Sequence, residues 1–262
     1  MNALRLCPGL VSLLALASVF PGMAEGAAII TDVTFTTNYS GSDHYQYSGG
    51  SGNFWTISGN ITVGTGTTAD GRLFLGDPAN GILTLQGNGD ATADTLLLNG
   101  YHPGDPILGR LGFDRAGGAD SVGTLNISGG LAVTMGGHAM RYEGGTNTIN
   151  IISGSLNYTT SGFNWQEGTP TTGQDALVNH IIGADGSLIV PGVIADAFGF
   201  TSWAQASGTR VELNDIMVSA ADGLTLNFSN NGLFTTITAV PEPTAALLAS
   251  FGLLGLVVGR RR

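Results

Sequence analysis

Paired carboxylates are the first groups to weigh, because two on one face can cleave a glycosidic bond, one as acid and one as base or nucleophile. Three such pairs can be drawn: Asp90 with Asp94, Asp114 with Asp120, and Glu143 with Glu167. Nothing in the flanking residues selects among them. The four histidines, His44, His102, His138 and His180, are scattered without metal-ligand spacing. Asp43 adjoins His44, and His138 lies five residues from Glu143, yet neither arrangement is a catalytic motif. Each histidine reads as a surface residue. No Gly-x-Ser-x-Gly elbow and no His-Glu-x-x-His segment occurs. Gly87-Asn88-Gly89-Asp90 is similar to calcium-binding glycine-aspartate repeats, but it occurs once, and those sites share ligands between tandem copies. It reads as a turn.

Aromatic side chains offer a different chemistry. Tyr39, Tyr45, Tyr47, Phe54 and Trp55, with Asp43, His44 and Gln46 nearby, could stack and hydrogen-bond a sugar. Packing of the first part of the body is the plainer expectation. No catalytic residue, cofactor site or metal site is therefore assigned.

The elements that would position these groups are set by composition. The chain has 42 glycines in 262 residues, more than double the usual share of about 7%. Its 42% hydrophobic content provides enough apolar surface to oppose chain entropy, which argues against disorder. All nine basic residues are arginine. Between Ala28 and Val240 there are five arginines and seventeen Asp and Glu residues, a net charge of −12. A phosphate backbone needs clustered cations, so nucleic acid is excluded as a partner. Polyanionic sugars are disfavoured on the same ground.

Period-two alternation recurs along the middle of the chain. Gly81-Ile82-Leu83-Thr84-Leu85-Gln86-Gly87 and Gly123-Thr124-Leu125-Asn126-Ile127-Ser128 are the clearest cases. Leu125 and Ile127 face one way and Thr124, Asn126 and Ser128 the other, as half-buried strands require. Leu131–Met135, Asn147–Ile151 and Leu224–Phe228 repeat the theme, and no run from Ile29 to Thr238 has helical spacing. Ala69-Asp70-Gly71, Ala184-Asp185-Gly186 and Ala221-Asp222-Gly223 each precede a strand and read as corners. After Thr160 the pattern loosens around Phe163, Trp165, Phe198, Phe200 and Trp203, which suits irregular final coils or a cap.

These repeats, over residues 56 to 160, resemble the β-strand repeats of autotransporter-type passenger domains, which form parallel β-helices. The resemblance implies an all-β, parallel β-solenoid body. A β-sandwich is the alternative, because the spacing between strands drifts.

Both ends read as addresses. Arg5, the apolar run Leu10–Phe20 and the small residues ending at Ala28 have the form of a secretion signal over 1–28. The single cysteine, Cys7, would leave with it, so no disulfide or thiolate site is expected in the mature chain. At the other end stand Pro241-Glu242-Pro243, an apolar stretch from Ala245 to Val258, and Arg260-Arg261-Arg262. Two prolines around Glu242 keep that segment extended. Terminal arginines favour the cytoplasmic side of a membrane, which places the body outside. The three parts together resemble the PEP-CTERM sorting tail over 239–262. That resemblance implies an exosortase-type processing enzyme as partner and an anchored intermediate in the inner membrane of a Gram-negative-type bacterium that makes exopolysaccharide.

Residues 29–238 are then the body. The expectation is an exported, non-catalytic surface or matrix protein, structural or adhesive, associated with exopolysaccharide. A carbohydrate-binding module or enzyme acting on a neutral polysaccharide is the alternative.

Overall fold

In Gly81–Gly87 every second residue is buried and those between are half-exposed. Gly123–Ser128 and Leu131–Met135 alternate in the same way. Apolar residues at every second position can all be buried only by a pleated strand lying on a core, so alternation dictates the element. The computed structural model describes residues 28–29, 32–38, 44–47, 49–63, 72–75, 81–90, 92–98, 101–102, 105–108, 111–113, 123–135, 140–142, 145–158, 166–167, 176–207 and 215–242. Strands dominate them, with a single helix, and the architecture is all-β.

A mixed sheet of twelve strands carries the core. Its members are β1 (Val33–Phe35), β2 (Gly49–Ile57), β3 (Asn60–Val63), β4 (Gly81–Gly87), β5 (Thr95–Leu98) and β6 (Gly123–Ser128). They continue with β7 (Leu131–Met135), β8 (Gly145–Tyr158), β9 (Ala176–Pro191), β10 (Ile216–Ala220), β11 (Leu224–Asn230) and β12 (Phe234–Pro241). Six short strands, from Ala28–Ile29 to Gln166–Glu167, form a separate sheet, and its pairings are parallel.

Strands adjacent in the parallel series of the large sheet are far apart in sequence. β2, β4, β6, β8 and β9 lie parallel, with Trp55, Leu85, Ile127, Ile151 and Ile182 in one line. A second line runs through Ile61, Leu96, Val133, Leu156 and Leu188, on β3, β5, β7 and the later halves of β8 and β9. All ten residues are buried. Parallel pairing needs a long crossover, and hydrogen-bonded neighbours on adjacent rungs are 30, 42 and 24 residues apart. The drift in strand spacing is thus accommodated while the register of the core is kept.

Between the two lines the chain bends at glycine. Gly154 lies at φ 112°, and a Cβ there would collide with the Leu131 carbonyl. It lets β8 turn between the half that pairs with β6 and the half that pairs with β7. Ala221-Asp222-Gly223 is a turn, with Gly223 at φ 76°. Ala184-Asp185-Gly186 is not a corner between strands: it stays inside β9, at a register shift that sets Gly183 and Ala184 of β9 against the single Ile152 of β8. Ala69-Asp70-Gly71 lies outside the described residues.

The stack closes differently from the way it runs. β10 pairs in parallel with the first half of β9, but β12 pairs antiparallel with its second half, and β11 antiparallel with β12. Helix α1 (Ala197–Ser207) packs beside β10 and buries Phe200 and Ala204, four residues apart on one face. Asp196 caps it, its Oδ1 accepting from the Gly199 amide at 2.7 Å. The helix overturns the expectation that no segment before Thr238 is helical. Gly199, Thr201 and two phenylalanines give it little intrinsic propensity, and burial of Phe200 against the core decides the outcome.

Candidate functional site

Outward residues of the parallel strands form hydrogen-bonded rows. The Asn126 amide donates to Thr84 Oγ1 (3.2 Å), and the Asn150 amide donates to Asn126 Oδ1 (2.8 Å). Gln86 bonds Thr56 (3.1 Å), Asn88 bonds Ser58 (2.9 Å), and Thr95 bonds Asn60 (2.8 Å). In-register stacking puts like side chains about 4.7–4.9 Å apart, which makes such ladders possible. The result is rows of outward amides and hydroxyls, joined at Asn88 to the carboxylate of Asp90.

The carboxylate pair Asp90 and Asp94 is not an acid–base couple. Asp94 is 4% exposed, and both of its oxygens accept backbone N–H groups, Oδ1 from Gly59 (2.7 Å) and Oδ2 from Asn88 (2.7 Å). Its own carbonyl accepts from Ala132 N (3.1 Å), so one residue ties three successive rungs. Asp90 is fully held in the Asn88-Gly89-Asp90 turn: it accepts from Thr92 and from the Asn88 amide. Those bonds, from Thr92 first and Asn88 next, lower its pKa below the usual carboxylate value. The turn reading of Gly87–Asp90 holds, with Gly89 at φ 79°. Asp114, Asp120 and Glu143 lie outside the described residues, and Glu167 is described by its backbone alone.

His180 corrects the surface reading of the histidines. It is fully buried on β9, in the line of Leu83, Leu125, Ile149 and Val218. Its Nε2 lies 2.9 Å from the Tyr158 hydroxyl and its Nδ1 3.1 Å from the Met217 carbonyl. A carbonyl only accepts, so Nδ1 carries the hydrogen and Nε2 accepts from Tyr158. Phe200 of α1 meets the ring edge-on at 5.5 Å. Burial pushes the His180 pKa down to about 4, against the opposing bond to Met217, and burial pushes Tyr158 well above its ordinary value. The signal was in the sequence: Val178 and Ile182 flank His180 at period two, which puts the imidazole on the inward face. His44 and His102 are described by backbone alone, and His138 lies outside the described residues.

The aromatic platform does not assemble as a unit. Trp55 is fully buried against Phe35, ring centres 5.0 Å apart, while its neighbour Phe54 points outward at 42% exposure. Alternation sends adjacent residues to opposite faces. Tyr45, Gln46 and Tyr47 are described by backbone only, and Tyr39 and Asp43 lie outside the described residues. Among the described residues there is no group of three or more His, Cys, Asp or Glu side chains able to hold a metal ion.

Pro241 ends β12 and Glu242 follows it, both exposed. The Glu242 amide donates to the Gly223 carbonyl (3.2 Å), which keeps this segment extended beside β11. Pro243, Arg260, Arg261 and Arg262 lie outside the described residues, as do residues 1–27. Among the described residues no helix is long and apolar enough to cross a membrane. No family model, curated protein or solved structure matches the chain.

Proposed function

We propose that this chain is an exported, non-catalytic protein of the cell surface or extracellular matrix, with a structural or adhesive role. Its body is a parallel β-solenoid, a reading supported by the two lines of in-register apolar residues, in which each rung covers the face of its neighbour. A β-sandwich would instead be built from antiparallel strands, and the long parallel series disfavours it.

The observation that carries the reading is the exposed, extended Pro241-Glu242 at the end of the last strand. A processing enzyme needs such a segment accessible and free of helix. The apolar stretch Ala245–Val258 and the three terminal arginines complete a PEP-CTERM-type sorting tail. The partners are then an exosortase-type enzyme, the inner membrane through the tail, and exopolysaccharide. The destination is the surface or matrix of a Gram-negative-type bacterium. Cell fractionation of the full chain with and without residues 241–243 tests this. The intact tail should yield a shortened protein in the surface or matrix fraction, and the deletion should leave an unprocessed chain in the inner membrane. Identical partitioning of both forms would reduce the tail to a hydrophobic end.

A second reading, a binding module for a neutral polysaccharide, is favoured by the uncharged Thr84–Asn126–Asn150 ladder. Retention of the chain on a neutral glucan, lost on Asn126→Ala, would support it.

A further inference from the structure

β11 is the last strand of the large sheet, and its strand partner among the described residues is β12. Hydrogen bonding along it alternates. Gly223 O accepts from Glu242 N and Asn231 N donates to Phe234 O at the two ends of the pairing. Thr225, Asn227 and Ser229 share that parity and turn their backbone groups toward β12. Leu226, Phe228 and Asn230 therefore turn theirs to the edge that no described strand pairs.

Natural sheets guard an open edge with lysine, proline, an inward charge or a bulge. Leu224-Thr225-Leu226-Asn227-Phe228-Ser229-Asn230 has no charge and no proline, and it pairs with β12 without a register shift. Leu224, Leu226 and Phe228 pack on the core, while Thr225, Asn227 and Ser229 are exposed.

We propose that this edge docks a second copy of this chain, by antiparallel pairing of β11 with β11 about a two-fold axis at Asn227. The strand is self-complementary there. Leu226 falls opposite Phe228 on the core side, and Thr225 opposite Ser229 on the outer side. The outward backbone groups of Leu226 and Phe228 meet as a hydrogen-bonded pair, the parity that antiparallel strands require. Moving the axis half a step would set Leu226 opposite Asn227 and break both parity and facing. Asp222 falls opposite Gly232, so no acids are brought together. Such pairing is isologous and closes at two copies, joining two bodies at their C-terminal ends.

The register supplies the test. Asn227 faces its own copy at a non-hydrogen-bonded position, where Cα atoms approach to about 4.5 Å, within disulfide reach. In the detergent-solubilised full chain carrying Cys7→Ser, Asn227→Cys should oxidise to a covalent dimer. Thr225→Cys, which faces Ser229, should not. Leu226→Pro removes an edge donor and should weaken self-association in sedimentation equilibrium by about tenfold or more, with the circular dichroism unchanged. Equal cross-linking at 225 and 227, or self-association untouched by Leu226→Pro, would overturn the proposal. So would cross-linking of Asn227→Cys that appears only after residues 243–262 are removed, since the tail would then be the occupant of the edge.

Discussion

The Tyr158 hydroxyl stands 2.9 Å from Nε2 of His180, both residues fully buried. Tyr158 comes from the later half of β8 and His180 from the first half of β9, so the bond crosses the interior between the two lines of strands. It lies where the parallel series gives way to α1 and the closing hairpin, with Phe200 against the imidazole. A buried polar pair needs partners, and here the Met217 carbonyl accepts from the other ring nitrogen of His180.

Acid should act on this pair first. His180 is neutral in the folded chain, with its pKa down at about 4, and unfolding restores the ordinary value near 6.5. The unfolded state therefore binds more protons between those values, and stability falls as pH drops from about 6.5 to 4. The full loss is on the order of 3 kcal/mol. Urea unfolding at pH 7 and pH 4.5 should show it, and His180→Phe with Tyr158→Phe should remove that part of the slope.

Asp94→Ala should destabilise the chain by about 1–3 kcal/mol, because two half-buried amides, of Gly59 and Asn88, lose a charged acceptor. Asp94→Asn keeps one acceptor oxygen and should lose less. Unfolding midpoints of the two variants give the comparison. Equal midpoints for Asp94→Ala and the parent would show that the three rungs do not depend on this carboxylate.

Gly154→Ala places a Cβ against the Leu131 carbonyl at a positive φ. Gly59 has φ 87° but open space around it. Gly59→Ala should cost about 1 kcal/mol and Gly154→Ala clearly more, on the order of 3 kcal/mol. The order of the two melting temperatures checks the bend in β8.

Ile127 and Asn126 are neighbours on opposite faces of β6. Ile127→Ala opens a cavity in the buried line and should cost about 2–5 kcal/mol. Asn126→Ala removes two side-chain bonds on the outer face and should cost about 1 kcal/mol. A reversed order in chemical denaturation would place the core on the other face.

Much of this was legible from single positions. The inward residues Leu83, Leu85, Leu125, Ile127 and Val133 are all buried, as their alternation requires. The same rule, applied to Val178 and Ile182, places His180 inside; an isolated polar residue in an apolar alternation is easily assigned to the surface by type. The helix was not legible, since Gly199 and Thr201 argue against it locally. The roles of Asp90 and Asp94 were left open by the sequence, because spacing alone does not reveal that backbone amides 35 and 6 residues away take up both Asp94 oxygens.

By itself the sequence determined the alternation of strands such as β4, β6 and β7 and which face of each is apolar, because alternation is a local property. Two prolines around Glu242 also predict an extended segment, and Pro241 stands at the end of β12. The tertiary structure decided which strands pair, that Tyr158 meets His180, and that the parallel series ends in an antiparallel hairpin. Those outcomes depend on contacts between residues tens of positions apart, where closing the chain costs entropy and only the packed core selects the register.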